Sequence, residues 1–140
     1  MTAADLARFV SAQQDVYAQA LAELRAGRKQ SHWMWFIFPQ LAGLGQSPTA
    51  RFYAIASAAE ARAFLADELL GARLRQCTEA MLRHRGQRPE AILGGIDTLK
   101  FRSSMTLFAA VADDPLLFAE ALDAFFGGAR DERTLELLGR

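Results

Sequence analysis

The chain has 140 residues, 51% of them hydrophobic, 23% charged and 10% aromatic, and its 16 basic and 16 acidic residues leave no formal net charge. Such a chain is long enough for one domain burying about 70% of its unfolded surface. It is too apolar for intrinsic disorder, lacks the charge excess of a non-specific nucleic-acid binder, and with one cysteine, Cys77, can form neither an internal disulfide nor a cysteine zinc cluster.

The start, MTAADLARFV, has no basic region leading into an apolar stretch, so it does not read as a secretory signal. No apolar run, 33–38 included, exceeds six residues, against the roughly 20 that span a bilayer. A cytoplasmic protein without membrane association is expected. Arginine outnumbers lysine 14 to 2, which suggests a GC-rich bacterial genome. Ala and Leu supply 46 residues while Val and Ile supply seven. Helices favour the first pair and strands the second, so the expected fold is all-α, one domain of seven to nine helices over 1–140.

In chain order, Thr2-Ala-Ala-Asp5 reads as an N-cap with an acid at N3. Leu6, Phe9, Val10, Val16, Tyr17, Leu21 and Leu24 follow helical spacing, and Gly27 is a stop, which predicts one helix over about 3–26. The run SHWMWFIF (31–38) is continuously apolar to Pro39 and reads as a short buried helix. A loop follows, QLAGLGQSPT (40–49). Ser47-Pro48 caps a short helix to about Ala54, and the capping box Ser57-Ala-Ala-Glu60 opens another to about Ala66. Leu70, Leu74, Cys77, Met81 and Leu82 line one face of a helix ending before Gly86. Pro89 starts a single turn that stops at Gly94-Gly95, and Asp97 is the expected cap of a helix to about Ala112. Asp114-Pro115 caps a helix that Gly127-Gly128 terminates, and Asp131 begins the last.

Charge is uneven. Residues 73–88 carry Arg73, Arg75, Arg83, His84, Arg85 and Arg88 against Glu79, while 113–140 carry seven acids against three arginines. These are either solvated faces of opposite sign, docked on each other, or an anionic-partner surface.

No phosphate loop, HExxH, GxSxG or paired Cys-x-x-Cys occurs, and Gly43-Leu-Gly45 lacks the rest of a dinucleotide fingerprint. No cofactor and no metal are expected. Cys77, on an apolar face, reads as core, and His84, among arginines, as exposed. Two clusters carry possible chemistry. In Arg28-Lys29-Gln30-Ser31-His32-Trp33-Met34-Trp35, cations, a hydroxyl, an imidazole and two indoles fall together. On a helix Trp33 and Trp35 diverge by about 200°, so one indole is expected to face a groove, where an apolar body meets a polar rim. In Asp97-Thr98-Leu99-Lys100-Phe101-Arg102-Ser103-Ser104-Met105-Thr106, two cations and four hydroxyls surround large apolar residues. Such donors suit an anion or a polyhydroxylated ligand. Both clusters also have a plain reading, as satisfied core groups, solvated faces and hydroxyls bonded back to the preceding turn.

The strings SHWMWFIFPQ, GARLRQCTEAML, DTLKFRSSMTLFAA and FFGGARDERTLELLG closely resemble the bacterial domain-of-unknown-function family 1810, from about Leu6 to Leu138. The resemblance implies a single compact all-α domain and brings no established activity. Some relatives bear the label calpastatin, an extended inhibitor that this globular composition does not fit. A looser resemblance, of layout alone, is to NADAR-type N-glycosidases, which act on ADP-ribose-linked or riboflavin-pathway substrates.

Three readings follow. The first is a small anionic or nucleotide-like ligand in a pocket between 31–40, the 41–47 loop and the start of the 97–108 helix. Its binding residues would be His32, Trp33, Trp35, Gln40, Ser47, Lys100, Ser103 and Ser104. If it is catalytic, as in an N-glycosidase-like hydrolase of a nucleotide-type substrate, His32 and Asp97 are the acid-base candidates. The second is a protein-interaction module using the 73–88 arginines. The third is a stable helical domain whose special strings are packing and caps. A monomer or weak dimer is expected, without nucleic acid.

Overall fold

The computed structural model of the protein describes residues 3–140, and side chains from Leu6 onward. The Thr2–Asp5 cap lies outside the described side chains. Among the described residues there are ten helices and no strand: α1 (Ala3–Gln13), α2 (Tyr17–Ala26), α3 (Met34–Ile37), α4 (Pro48–Phe52), α5 (Ala58–Ala66), α6 (Glu68–Leu82), α7 (Pro89–Leu93), α8 (Gly95–Val111), α9 (Leu116–Phe126) and α10 (Glu132–Leu137). One isolated parallel bridge joins Leu41 to Ile55. None of these helices is long and apolar enough to cross a membrane.

The expected 3–26 helix is two. At 14–16 the ladder changes to i→i+3 bonds, Gln14 N to Ser11 O (3.4 Å) and Val16 N to Gln13 O (3.1 Å). Gln13 stands at this break with its side-chain amide buried, donating to Phe36 O at 2.7 Å and accepting from Arg73 at 3.3 Å. Gly27, at φ +75, closes α2 in the left-handed region as its position predicts. Ser47 and Ser57 cap α4 and α5 through the amides of Ala50 and Glu60. The Glu60 carboxylate reaches one residue further back than in a standard capping box, to the Ala56 amide, and pairs with Arg8, both at 2.9 Å. A Cβ at Gly71 would lie 2.1 Å from the Leu65 carbonyl oxygen, so only glycine lets α6 leave α5 this closely.

α8 is the central helix. Phe101, Met105, Leu107, Phe108 and Val111 are buried on it, together with Thr98, Ser103, Ser104 and Thr106. From Ser103 to Phe108 the helix is buried all round, so it must hide its polar side chains there as well. Thr98, Ser103 and Thr106 do so by donating to the carbonyls of Gly94, Leu99 and Arg102, one turn back, at 2.7, 3.1 and 2.8 Å. Edge-to-face and tilted rings run through the core from Phe9 to Phe64 (5.1 Å), Phe108 (5.5 Å) and Phe118 (5.9 Å). A second group links Trp33, Phe38, Phe101 and Phe125. Ring pairs at these spacings add to the area they bury.

Two expectations need correction here. Asp97 does not cap α8. The helix begins two residues earlier, with Gly94 as its N-cap at φ +85 and no side-chain cap. His84 is half-buried rather than exposed: its Nε2–H donates to Leu24 O (2.8 Å) and Arg25 O (3.1 Å), closing the C-terminal end of α2. Three of the 73–88 arginines have partners within the chain, two of them in exposed pairs. Arg73 lies 4.5 Å over the Tyr17 ring, Arg85 approaches Glu120 at 3.7 Å and Arg88 approaches Glu90.

Candidate functional site

A cavity of about 390 Å³ opens where the 29–35 segment meets the α7–α8 junction. Its walls are Lys29, His32, Trp33, Met34 and Trp35 on one side and Leu93 to Asp97 with Lys100 on the other. That volume lies within the roughly 300–1,000 Å³ usual for small-molecule sites.

The first wall runs from the loop 29–33 into the start of α3, and the loop has no helical backbone, so its shape has to come from elsewhere. It comes from Glu23 on α2. This buried carboxylate accepts the amides of Gln30 (2.8 Å) and Ser31 (3.1 Å), the Ser31 hydroxyl (2.6 Å) and the Trp33 indole N–H (2.9 Å). The Gln19 amide donates to its second oxygen. Burial pushes this carboxyl up, but the four donors outweigh burial and hold it down at about 2. Lys29 is tied down separately, its amide donating to Ile92 O at 2.8 Å and its ammonium to Ser31 O at 2.6 Å. Nothing in the sequence marks Glu23 out, because it lies one residue off the apolar stripe of its helix.

The second wall is the N-terminal turn of α8. Its first amides have no carbonyl of their own helix to bond, and no side chain caps them. Asp97 stands in this turn, where a negative charge is favourable. Lys29 Nζ meets Asp97 Oδ2 at 2.9 Å and Lys100 Nζ meets Oδ1 at 3.5 Å. Each ammonium also lies over an indole, Lys29 over Trp33 at 5.0 Å and Lys100 over Trp35 at 4.9 Å. The Lys29 side chain is 9% exposed and that of Lys100 24%, so Lys100 is the cation within reach of a ligand. Trp33 is wholly buried and Trp35 half-buried, which leaves Trp35 as the accessible indole.

His32, Trp33, Trp35, Asp97 and Lys100 therefore line one cavity, with Lys29, which was not among the expected binding residues. Gln40, Ser47, Ser103 and Ser104 lie elsewhere. Gln40 borders a crevice of about 10 Å³ beside Trp35 and Tyr53, no larger than a single water needs. Ser47 caps α4. The Ser103 hydroxyl faces α10, 3.2 Å from Asp131 Oδ2. Ser104 Oγ is buried and makes no hydrogen bond among the described residues. The 41–47 loop does not border the cavity either. Cys77 is buried, and burial pushes its thiol up to about 12 against the opposing pull of Tyr17, Arg25 and Arg73, so it presents no thiolate nucleophile near neutral pH.

The chain belongs to the family described as protein of unknown function (DUF1810), whose match covers residues 3–138. No curated protein matches it. It is similar to the conserved hypothetical protein Rv1873 from Mycobacterium tuberculosis, whose crystal structure is 51% identical over 97% of each chain with a TM-score of 0.95.

Proposed function

We propose that this protein binds a small organic anion at the N-terminal turn of α8. The observation that carries this reading is the convergence of the only two lysines in the chain on one cavity. Lys29 and Lys100 share the single carboxylate of Asp97, so the cluster keeps one positive charge in excess. Beside it lie the free amides of an uncapped 17-residue helix. Unbonded amides at a helix N-terminus next to excess positive charge are a common way of holding phosphate or carboxylate.

Binding rather than turnover is what the arrangement supports. Asp97, an acid-base candidate, is occupied by two ammonium groups, and His32 stands on an exposed loop position. The test is calorimetric titration with 1-naphthyl phosphate of the natural chain and of Lys100→Gln, which removes the accessible charge and keeps most of the stem. Binding by the first and at least a tenfold loss in the second is expected. Equal affinity in the two would rule out this site.

A further inference from the structure

Resting on that reading, we infer that the ligand is an anion with an apolar body, an aryl or alkyl phosphate or carboxylate, and not a phosphorylated sugar. The inference comes from what the cavity can and cannot hydrogen-bond. Apart from the glycine backbone, its polar side chains are Lys29, His32, Asp97 and Lys100, with the indoles. No serine, threonine, asparagine or glutamine lines it. The Trp33 N–H is already given to Glu23, and Lys29 and Asp97 are given to each other. The hydroxyls nearby in sequence, Thr98, Ser103 and Thr106, are engaged by carbonyls of α8 itself and, for Ser103 and Thr106, by Asp131. Beyond His32, and Lys100 with the first α8 amides that would hold the anion, the wall offers a sugar's hydroxyls few partners, and each buried unpaired hydroxyl opposes binding.

The apolar side is over-supplied by comparison. Ile96 is 75% exposed and Leu99 64% exposed, the two most exposed large hydrophobic residues described in the chain. They stand three apart on the first turns of α8, hence on neighbouring parts of one face, and Ile96 borders the cavity that Lys100 also borders. Trp35 forms the opposite wall under the Lys100 ammonium. Scattered exposed aliphatics need no explanation, but Ile96 at the mouth of a cavity with excess positive charge, with Leu99 next to it on the same helix face, gives an anionic head and an apolar body adjacent places to lie. The charge selects the anion, and the aliphatic pair with the indole selects its body.

The experiment compares 1-naphthyl phosphate, 1-naphthol, ribose 5-phosphate and inorganic phosphate by titration calorimetry, on the natural chain, Lys100→Gln and the double variant Ile96→Ser/Leu99→Ser. Both replaced aliphatics are exposed, and melting curves check that each variant folds. Naphthyl phosphate should bind at least tenfold more tightly than ribose 5-phosphate or 1-naphthol. The double serine variant should lose most of that advantage while its affinity for inorganic phosphate stays the same. Ribose 5-phosphate binding as tightly as naphthyl phosphate, or an unaffected double variant, would overturn the apolar body while leaving the anion site standing. Naphthol binding as tightly as its phosphate, or an unaffected Lys100→Gln, would overturn the anion site itself. Sedimentation with phosphatidylglycerol vesicles, without binding of naphthyl phosphate, would assign the aliphatic pair to a membrane surface and also overturn the inference.

Discussion

Lys29 and Lys100, 71 positions apart and the only lysines of a chain with 14 arginines, meet on the two oxygens of Asp97. A lysine gives a compact, strongly hydrated charge where an arginine would spread a planar fork. Here each ammonium fits between one carboxylate oxygen and one indole face. Asp97 thus both joins the loop to α8 and cancels half of the cationic charge.

That double role separates two effects of Asp97→Asn. Removing the charge leaves the mostly buried Lys29 ammonium without its anion, so stability should fall by about 1–3 kcal/mol. The cavity meanwhile goes from one excess positive charge to two, and affinity for 1-naphthyl phosphate should rise several-fold. Thermal melting and calorimetry read the two separately. Affinity that drops along with stability would mean that Asp97 shapes the site more than it restrains its charge.

Glu23 predicts a pH dependence. Its carboxyl is held at about 2 in the folded chain, against 4.5 for the unperturbed group. A depressed folded value means that the stabilisation is complete above the unfolded value and is lost as pH falls through the folded one. Its share of stability should therefore be constant above about pH 4.5 and decline from there towards about pH 2. Glu23→Gln should melt lower at pH 7, because an amide nitrogen would face N–H and O–H donors. The gap between variant and natural chain should narrow on acidification through that window. Parallel curves across it would show that the donors around Glu23 do not set its ionisation.

Much of the fold is legible in the sequence because it rests on local chemistry. Ser47, Ser57 and Asp131 cap the helices they precede, and Pro48 and Pro89 stand at first helical positions. The exceptions involve non-local contacts. The break at 14–16 lies beside Gln13, whose side chain bonds Phe36, 23 residues on. The strings 29–35 and 97–100 are visibly unusual, and from them Lys29, His32, Trp33, Trp35, Asp97 and Lys100 line one cavity. The hydroxyl run 103–106 is equally unusual for a different reason, since α8 is central and its small polar residues are enclosed by neighbouring helices. Periodicity reports which side of a helix is apolar and cannot tell that both sides are covered. Glu23 was invisible because a buried glutamate and a surface glutamate look the same until its donors, 7–10 residues later, fold back on it.

The adjacent serines should respond oppositely to alanine. Ser103 links α8 to Asp131, the residue that caps α10, and its loss should cost about 1 kcal/mol. Ser104 buries a hydroxyl with no partner among the described residues. Ser104→Ala removes a desolvated polar atom and improves helix propensity, so stability should be unchanged or rise by up to about 1 kcal/mol. Chemical denaturation of the two single variants checks the contrast. A loss above about 1 kcal/mol for Ser104→Ala would place an ordered water on its hydroxyl.

Gly95 offers the sharpest separation of binding from folding. It is the first residue of α8 and borders the cavity, its φ is not positive, and a Cβ built there meets nothing within 4 Å. Neither backbone conformation nor packing within the chain requires glycine at this position, in contrast to Gly71. A glycine that the fold does not need, at an uncapped helix end, is what close approach of a ligand to the backbone would require. Gly95→Ala should therefore fold and melt at the same temperature or slightly higher, since alanine is the better helix former by up to about 1 kcal/mol. Its affinity for 1-naphthyl phosphate should fall several-fold, and Gly95→Leu should weaken binding further, because the added atoms occupy space next to the first amides of α8. If both variants bind as the natural chain does, the anion is held by Lys100 alone, away from the helix end. If instead both lose stability, the open space beside Gly95 is not what sets its identity.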